Sequence, residues 1–238
     1  MTLFLVLILC LVLAAGWFLI PFGLRQLSSA RLRRYCRDQK AIVLSYDDGP
    51  SADLIRRLLD LLAERDTKAT FFLLGRNVEA HSEEMPRLLA SGHELGSHTF
   101  DHSNAWKVWP WHASRDLADG VRCLRSQGLS TQVFRPPYGK STLVTLVDCW
   151  WRGQRVGWWT IDTQDTWDRR SIAEVLDDIK AQNGGVVMMH DLDGLSISTP
   201  GMPHADYVLE LTRSIIDLAA KRGLRIRRLG DVYAEAAG

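Results

Sequence analysis

From residue 41 onward the chain alternates short apolar runs with amphipathic stretches, and this rhythm restricts the fold more than any other feature. Runs at residues 41–46, 70–74, 93–97, 133–135, 155–161, 186–189 and 224–229 read as strands. Residues 52–65, 83–90, 113–126, 143–151, 171–182 and 207–221 read as helices between them. Leu54, Leu58, Leu61 and Leu62 recur at helical spacing, Ser171 is placed to cap a helix, and Gly128 and Asn183-Gly184-Gly185 are placed to stop one. The Trp-rich residues 106–111 break the rhythm and read as a loop. Strands separated by helices imply a parallel α/β sheet, either open or closed into a barrel. Polar residues favour the barrel of about seven parallel strands. Asp47-Asp48, Ser97-His98, Arg135, Asp162 and His190 sit at strand C-terminal ends, which a barrel gathers around one mouth.

Residues 3–24 carry no charged side chain. As a helix they would extend about 33 Å, enough for a bilayer core. A secretory signal needs a basic leader, and only Met1 and Thr2 precede the run. Ala14-Ala15-Gly16 could be cut, but Trp17-Phe18-Leu19-Ile20 continues the apolar stretch. The expectation is a single-pass membrane protein with an N-terminal transmembrane helix. Arg25, Arg31, Arg33, Arg34, Arg37 and Lys40 follow the run, which favours the cytosolic face for the remainder. The same basic stretch would meet anionic head groups on whichever side it lay. The expected organisation is a membrane anchor over 1–24, a basic linker over 25–40 and a catalytic domain over 41–238. A net charge of +1 offers no field for nucleic acid. Cys10, Cys36, Cys123 and Cys149 form no C-x-x-C pair, so a cysteine zinc site is not indicated.

Taken singly, the polar residues have ordinary readings. Asp47-Asp48-Gly49-Pro50 is common turn chemistry. His98 and His102, four apart, would share a face on a helical turn. Arg135-Pro136-Pro137-Tyr138-Gly139 is a rigid loop, Asp162 and Asp165 suit a solvated one, and His190 ends a buried strand. Jointly they say more. Asp48, His98 and His102 supply one oxygen and two nitrogen ligands, which with a position left for water make a catalytic zinc-type site. Asp47 and His190 remain as a spare carboxylate and a spare imidazole.

Ser45-Tyr46-Asp47-Asp48-Gly49-Pro50, His98-Thr99-Phe100-Asp101-His102, Arg135-Pro136-Pro137-Tyr138-Gly139, Asp162-Thr163-Gln164-Asp165-Thr166-Trp167 and Met188-Met189-His190 follow one another in order. They resemble the five motifs of the polysaccharide deacetylase (NodB-like, carbohydrate esterase family 4) family. The resemblance implies a distorted (β/α) barrel, a divalent ion (zinc, with cobalt or nickel as options) and removal of an N-acetyl or other acyl group from an amino sugar. It implies Asp47 as general base, Arg135 as its holder and His190 as general acid. The backbone N–H of Tyr138 would face the oxyanion, and Trp167 would line the groove. Thr166 is an insertion relative to the family pattern, so Asp162 and Asp165 both remain as the residue that orients His190. The substrate would be an oligosaccharide, a polysaccharide or a lipid-linked sugar at the membrane. A non-catalytic saccharide-binding protein is the reading from another class.

Overall fold

The computed structural model of the chain describes residues 2–194 and 202–235; within its first helix the described side chains are those of Phe4 and of residue 16 onward. In chain order the elements are α1 (Thr2–Asp38), β1 (Ala41–Gly49), α2 (Leu54–Glu64), β2 (Thr70–Leu73), α3 (Gly75–Ala80), α4 (Met85–Ala90), β3 (Glu94–Ser97), α5 (Pro110–Ser126), β4 (Val133–Phe134), α6 (Leu143–Trp151), β5 (Arg155–Val156), β6 (Ile161–Asp162), α7 (Ile172–Gln182), β7 (Gly185–His190), α8 (His204–Arg222), β8 (Arg225–Ile226) and α9 (Leu229–Glu235). All strand pairings are parallel, in the order β5-β4-β3-β2-β1-β7-β6, with β8 pairing the first residues of β1.

The predicted single strand over residues 155–161 divides into β5 and β6, and these lie at opposite edges of the sheet. Five residue steps from Val156 to Ile161 reach at most about 17 Å. The sheet therefore curls until its edges face each other, giving the distorted barrel that the sequence suggests. At the crossing, a Cβ on Gly157 would lie 2.6 Å from the Phe72 ring, so the close approach requires glycine.

Alternation along β1 sorts the interior from the exterior. Ile42, Leu44 and Tyr46 pack outward among the helices with Leu58, Leu62 and Val208. Val43 packs inward with Phe72, Val133 and Val186. Ser45 and Asp47 continue that inward row toward the mouth.

Two expectations change here. Residues 25–38, expected within a basic linker, continue the helix α1. Leu32 and Cys36, one turn apart, are buried against Val43, Val186 and Trp158, while Arg31, Arg33, Arg34 and Arg37 stay exposed. Apolar docking of one face overrides a linker's charge pattern. Leu229, the last residue of the strand expected over 224–229, instead opens α9, which buries Leu229 and Val232 in the same cluster.

The expected span, residues 3–24, falls largely on side chains outside the described residues. Among the described residues no helix is long and apolar enough to cross a membrane.

Candidate active site

Asp47 and Asp48 occupy the C-terminal end of β1, and β1 pairs Asp47 directly with His190 at the end of β7. Neighbouring strand ends thus deliver a carboxylate and an imidazole to one mouth. The side chain of Asn77 donates to the Asp48 carbonyl at 2.6 Å and holds that end in place. Asp48 (φ 71°), Thr99 (φ 73°), His102 (φ 63°), Tyr138 (φ 57°) and Gln164 (φ 55°) all adopt left-handed backbone around this mouth. Such strain persists only where surrounding structure holds it, and it gathers at functional sites.

His98 and His102 are not on the helical turn that their spacing suggests. They flank an irregular loop, and Asp116 on α5 organises it. The Asp116 carboxylate accepts from the backbone N–H of Phe100 (2.9 Å), Asp101 (2.6 Å) and Ser103 (2.9 Å). The Thr99 hydroxyl accepts from the His102 N–H at 3.0 Å. Gly120 lets α5 come this close, since a Cβ there would sit 2.5 Å from the Thr99 carbonyl carbon.

The carboxylate oxygen Oδ1 of Asp48 is buried with no hydrogen-bond partner among the described residues. It faces Nε2 of His98 at 3.4 Å and Nε2 of His102 at 3.3 Å. Ligand atoms held tetrahedrally at about 2.0–2.1 Å from an ion lie roughly 3.3–3.4 Å apart. An orphaned oxygen at those separations from two imidazole nitrogens fits a divalent cation. Nδ1 of His98 meets the Arg135 carbonyl at 2.7 Å, so it carries the proton and Nε2 presents its lone pair. Burial, reinforced by His98, lowers the His102 pKa to about 4, which keeps that ring neutral.

Arg135 is fully buried, with its guanidinium 4.1 Å above the Phe72 ring. It donates to Asp47 Oδ1 at 2.6 Å, to the Ser45 hydroxyl at 3.0 Å and to the Gly157 carbonyl at 2.9 Å. One arginine thus joins three sequence motifs: its carbonyl orients His98 and its side chain fixes Asp47, leaving Asp47 Oδ2 at 3.9 Å from His98.

Across the cavity, Asp165 is the partner of His190. Its Oδ1 meets His190 Nδ1 at 2.7 Å, and its Oδ2 accepts from the His190 backbone N–H at 2.9 Å. Thr163 (3.0 Å) and His204 (3.2 Å) also contact this carboxylate. Burial opposes ionisation of Asp165, but His190 and the donors around it hold its pKa well below the usual carboxylate range. Burial likewise penalises a charged His190. Asp165, then Asp48 and Asp47, outweigh that and push the ring up to about 10. Asp162 lines the cavity but spends Oδ1 on the Gln164 N–H at 2.9 Å and does not bond His190.

These groups surround a cavity of about 500 Å³. Tyr138, Gly139, Trp159, Trp167, Met188 and Leu192 complete its walls. The Tyr138 ring packs tilted against His102, with centroids 4.6 Å apart and planes at 48°. Every site residue expected from sequence lies at this cavity or, for Arg135 and Asp165, directly behind it. Asp116 and His204 were not expected. Asp116 sits on α5, 13–16 residues past the amides it holds, and His204 on α8, 39 residues past Asp165, and no local motif marks either.

The fold and site define a curled parallel barrel with a candidate Asp-His-His metal site between an Asp–Arg pair and a His–Asp pair. The chain belongs to the polysaccharide deacetylase family, whose model matches residues 34–148. It is similar to the peptidoglycan-N-acetylglucosamine deacetylase PgdA of Listeria monocytogenes, at 31% identity over 159 residues, covering 66% of this chain and 33% of that protein. A chitooligosaccharide deacetylase of Bradyrhizobium is 27% identical over 201 residues, covering 82% of this chain and 91% of the relative. The crystal structure of the Bc1960 peptidoglycan N-acetylglucosamine deacetylase superposes with a TM-score of 0.71 at 28% identity, covering 82% of this chain and 89% of that one. The chain spans about one third of the length of the first curated relatives it matches.

Proposed function

We propose that this chain is a metal-dependent hydrolase that removes the N-acetyl group from an amino-sugar residue of a peptidoglycan-like or chito-oligosaccharide glycan. The observation that carries this reading is the partnerless Asp48 Oδ1 facing two imidazole nitrogens, with a held carboxylate and a held imidazole on either side. The family and the names of its relatives support the substrate class.

Asp48, His98 and His102 would hold one divalent ion, for which zinc suits the donor set and cobalt and nickel are alternatives. Such an ion, when bound, polarises the acyl carbonyl and acidifies water. The chain's own groups do the rest. Asp47 Oδ2 accepts a proton from the attacking water, because Oδ1 is engaged by Arg135. The Tyr138 N–H donates to the oxyanion of the tetrahedral intermediate. His190 releases its Nε2 proton to the sugar nitrogen as the C–N bond breaks, since Nδ1 is bound to Asp165. Trp167 and Trp159 offer aromatic faces to the sugar. Acetate and a free amine leave.

The test is acetate release by the detergent-solubilised full chain from N-acetylated chito-oligomers and from peptidoglycan, before and after chelation and zinc return. Release that vanishes on chelation and recovers with zinc is expected. No acetate from either glycan in the zinc-loaded protein overturns the reading.

A lipid-linked N-acylated sugar is a second substrate class, favoured by one observation. Helix α1, which carries the apolar run, lies against the mouth: Phe18 packs on Trp106 with centroids 5.5 Å apart, and Arg25 bonds Gly139. We further propose that residues 3–24 anchor the chain in a membrane with the barrel on the cytosolic face. Alkaline carbonate extraction tests the anchor. A C-terminal phosphatase fusion active outside the cytosol overturns the orientation.

A further inference from the structure

Arg25 lies on α1, outside residues 34–148 that the family model matches and outside all five motifs, yet it reaches the active-site mouth. Its Nη1 donates to the Gly139 carbonyl at 2.9 Å. Its guanidinium carbon lies 4.7 Å from the Trp159 ring centroid and 5.2 Å from that of Trp158. The packing is tight, because a Cβ on Gly139 would sit 2.6 Å from Trp159 and 2.8 Å from Arg25. The turn that Arg25 touches is strained. Tyr138 and Gly139 are consecutive left-handed residues, with φ of 57° and 62°. A tyrosine in that region is disfavoured relative to ordinary backbone. The flanking prolines restrict the approach to the turn but do not select its left-handed step. Seven residues earlier, two turns up the same helix face, Phe18 packs on Trp106, whose indole N–H donates to the Ser141 carbonyl at 2.9 Å. Helix α1 therefore grips the 138–141 segment at two points.

We infer that Arg25 is a positioning residue for the reaction: with its guanidinium set against two indole rings, it pins the Gly139 carbonyl and so holds the Tyr138 N–H toward the cavity. This rests on the proposed role of that N–H. A planar fork that stacks and donates at once is what the place demands, and a lysine ammonium does only part of it.

The test compares Arg25→Ala, Arg25→Lys and Arg31→Ala in the full chain. Two readouts are used: hydrogen exchange of the peptide covering residues 136–141, and acetate-release kinetics. The first needs no substrate and separates this inference from the assignment of the reaction. Arg25→Ala is expected to speed exchange in 136–141 but not in β1. It should lower kcat about 10- to 100-fold, the scale of a sub-ångström misplacement of a catalytic group, with KM and zinc content within about twofold of wild type. Arg25→Lys should fall between, and Arg31→Ala, exposed on the same helix, should match wild type. Unchanged exchange in 136–141 overturns the inference. So does a kcat of Arg25→Ala equal to that of an active wild type. If Arg25→Ala fails to fold, Arg25→Lys decides on the same two readouts.

Discussion

On the floor of the site, Asp47, Arg135 and Asp165 are at most 2% exposed, and each hydrogen-bonds at least one fixed partner. At the rim, Tyr138 is 58% exposed and Trp167 is 65% exposed. Asp47 and Arg135 come from strand ends and Asp165 from the turn after β6, and burial strengthens every charge interaction among them. The rim comes from loops and presents aromatic faces to solvent. A reacting group must be oriented before substrate arrives, whereas a sugar-contacting surface gains from access. Under the proposed function, proton transfer belongs to the floor and sugar contact to the exposed rings of the rim, and substitutions on each should separate the two.

The largest effect is expected at the ligands. Asp48→Ala should lose stoichiometric zinc by elemental analysis and lose acetate release altogether. An Asp48→Ala protein with full zinc content breaks the ligand assignment. Asp47→Asn should retain zinc yet lower kcat by at least about 100-fold, the lower range for one general base. Loss of zinc in that variant would make Asp47 a ligand instead.

Asp165→Asn addresses the acid half through pH. A general acid must be protonated, so activity falls as pH rises through its pKa. In the wild type, Asp165 helps hold His190 up at about 10 despite burial. With the carboxylate neutralised, burial remains and the alkaline limb of kcat should move down toward the ordinary imidazole value of about 6.5. A limb that stays in place would mean that His190 does not set it.

The smallest effect is expected at the rim. Trp167→Ala should raise KM roughly 2- to 12-fold, matching an aromatic contact of about 0.5–1.5 kcal/mol, and leave kcat and thermal stability near wild type. A fall in kcat without a change in KM would erase the distinction between floor and rim.

Local chemistry determined much of this protein. Apolar runs alternating with amphipathic ones specify a parallel α/β sheet, because the periods of strand and helix are written in neighbouring residues. The same holds for the polar residues at strand ends, which is why Asp47, Asp48, His98, Arg135 and His190 were legible as one constellation. Tertiary structure decided what depends on partners distant in sequence. Asp165 rather than Asp162 meets His190, a choice that the inserted Thr166 left open. Asp116 folds the His98–His102 loop from a helix whose own sequence gives no sign of it. Residues 25–38 read as a charged linker because four exposed arginines mask two buried positions, Leu32 and Cys36. Burial is a property of what packs across from a residue, and a linear pattern records only the residue's own side of that contact.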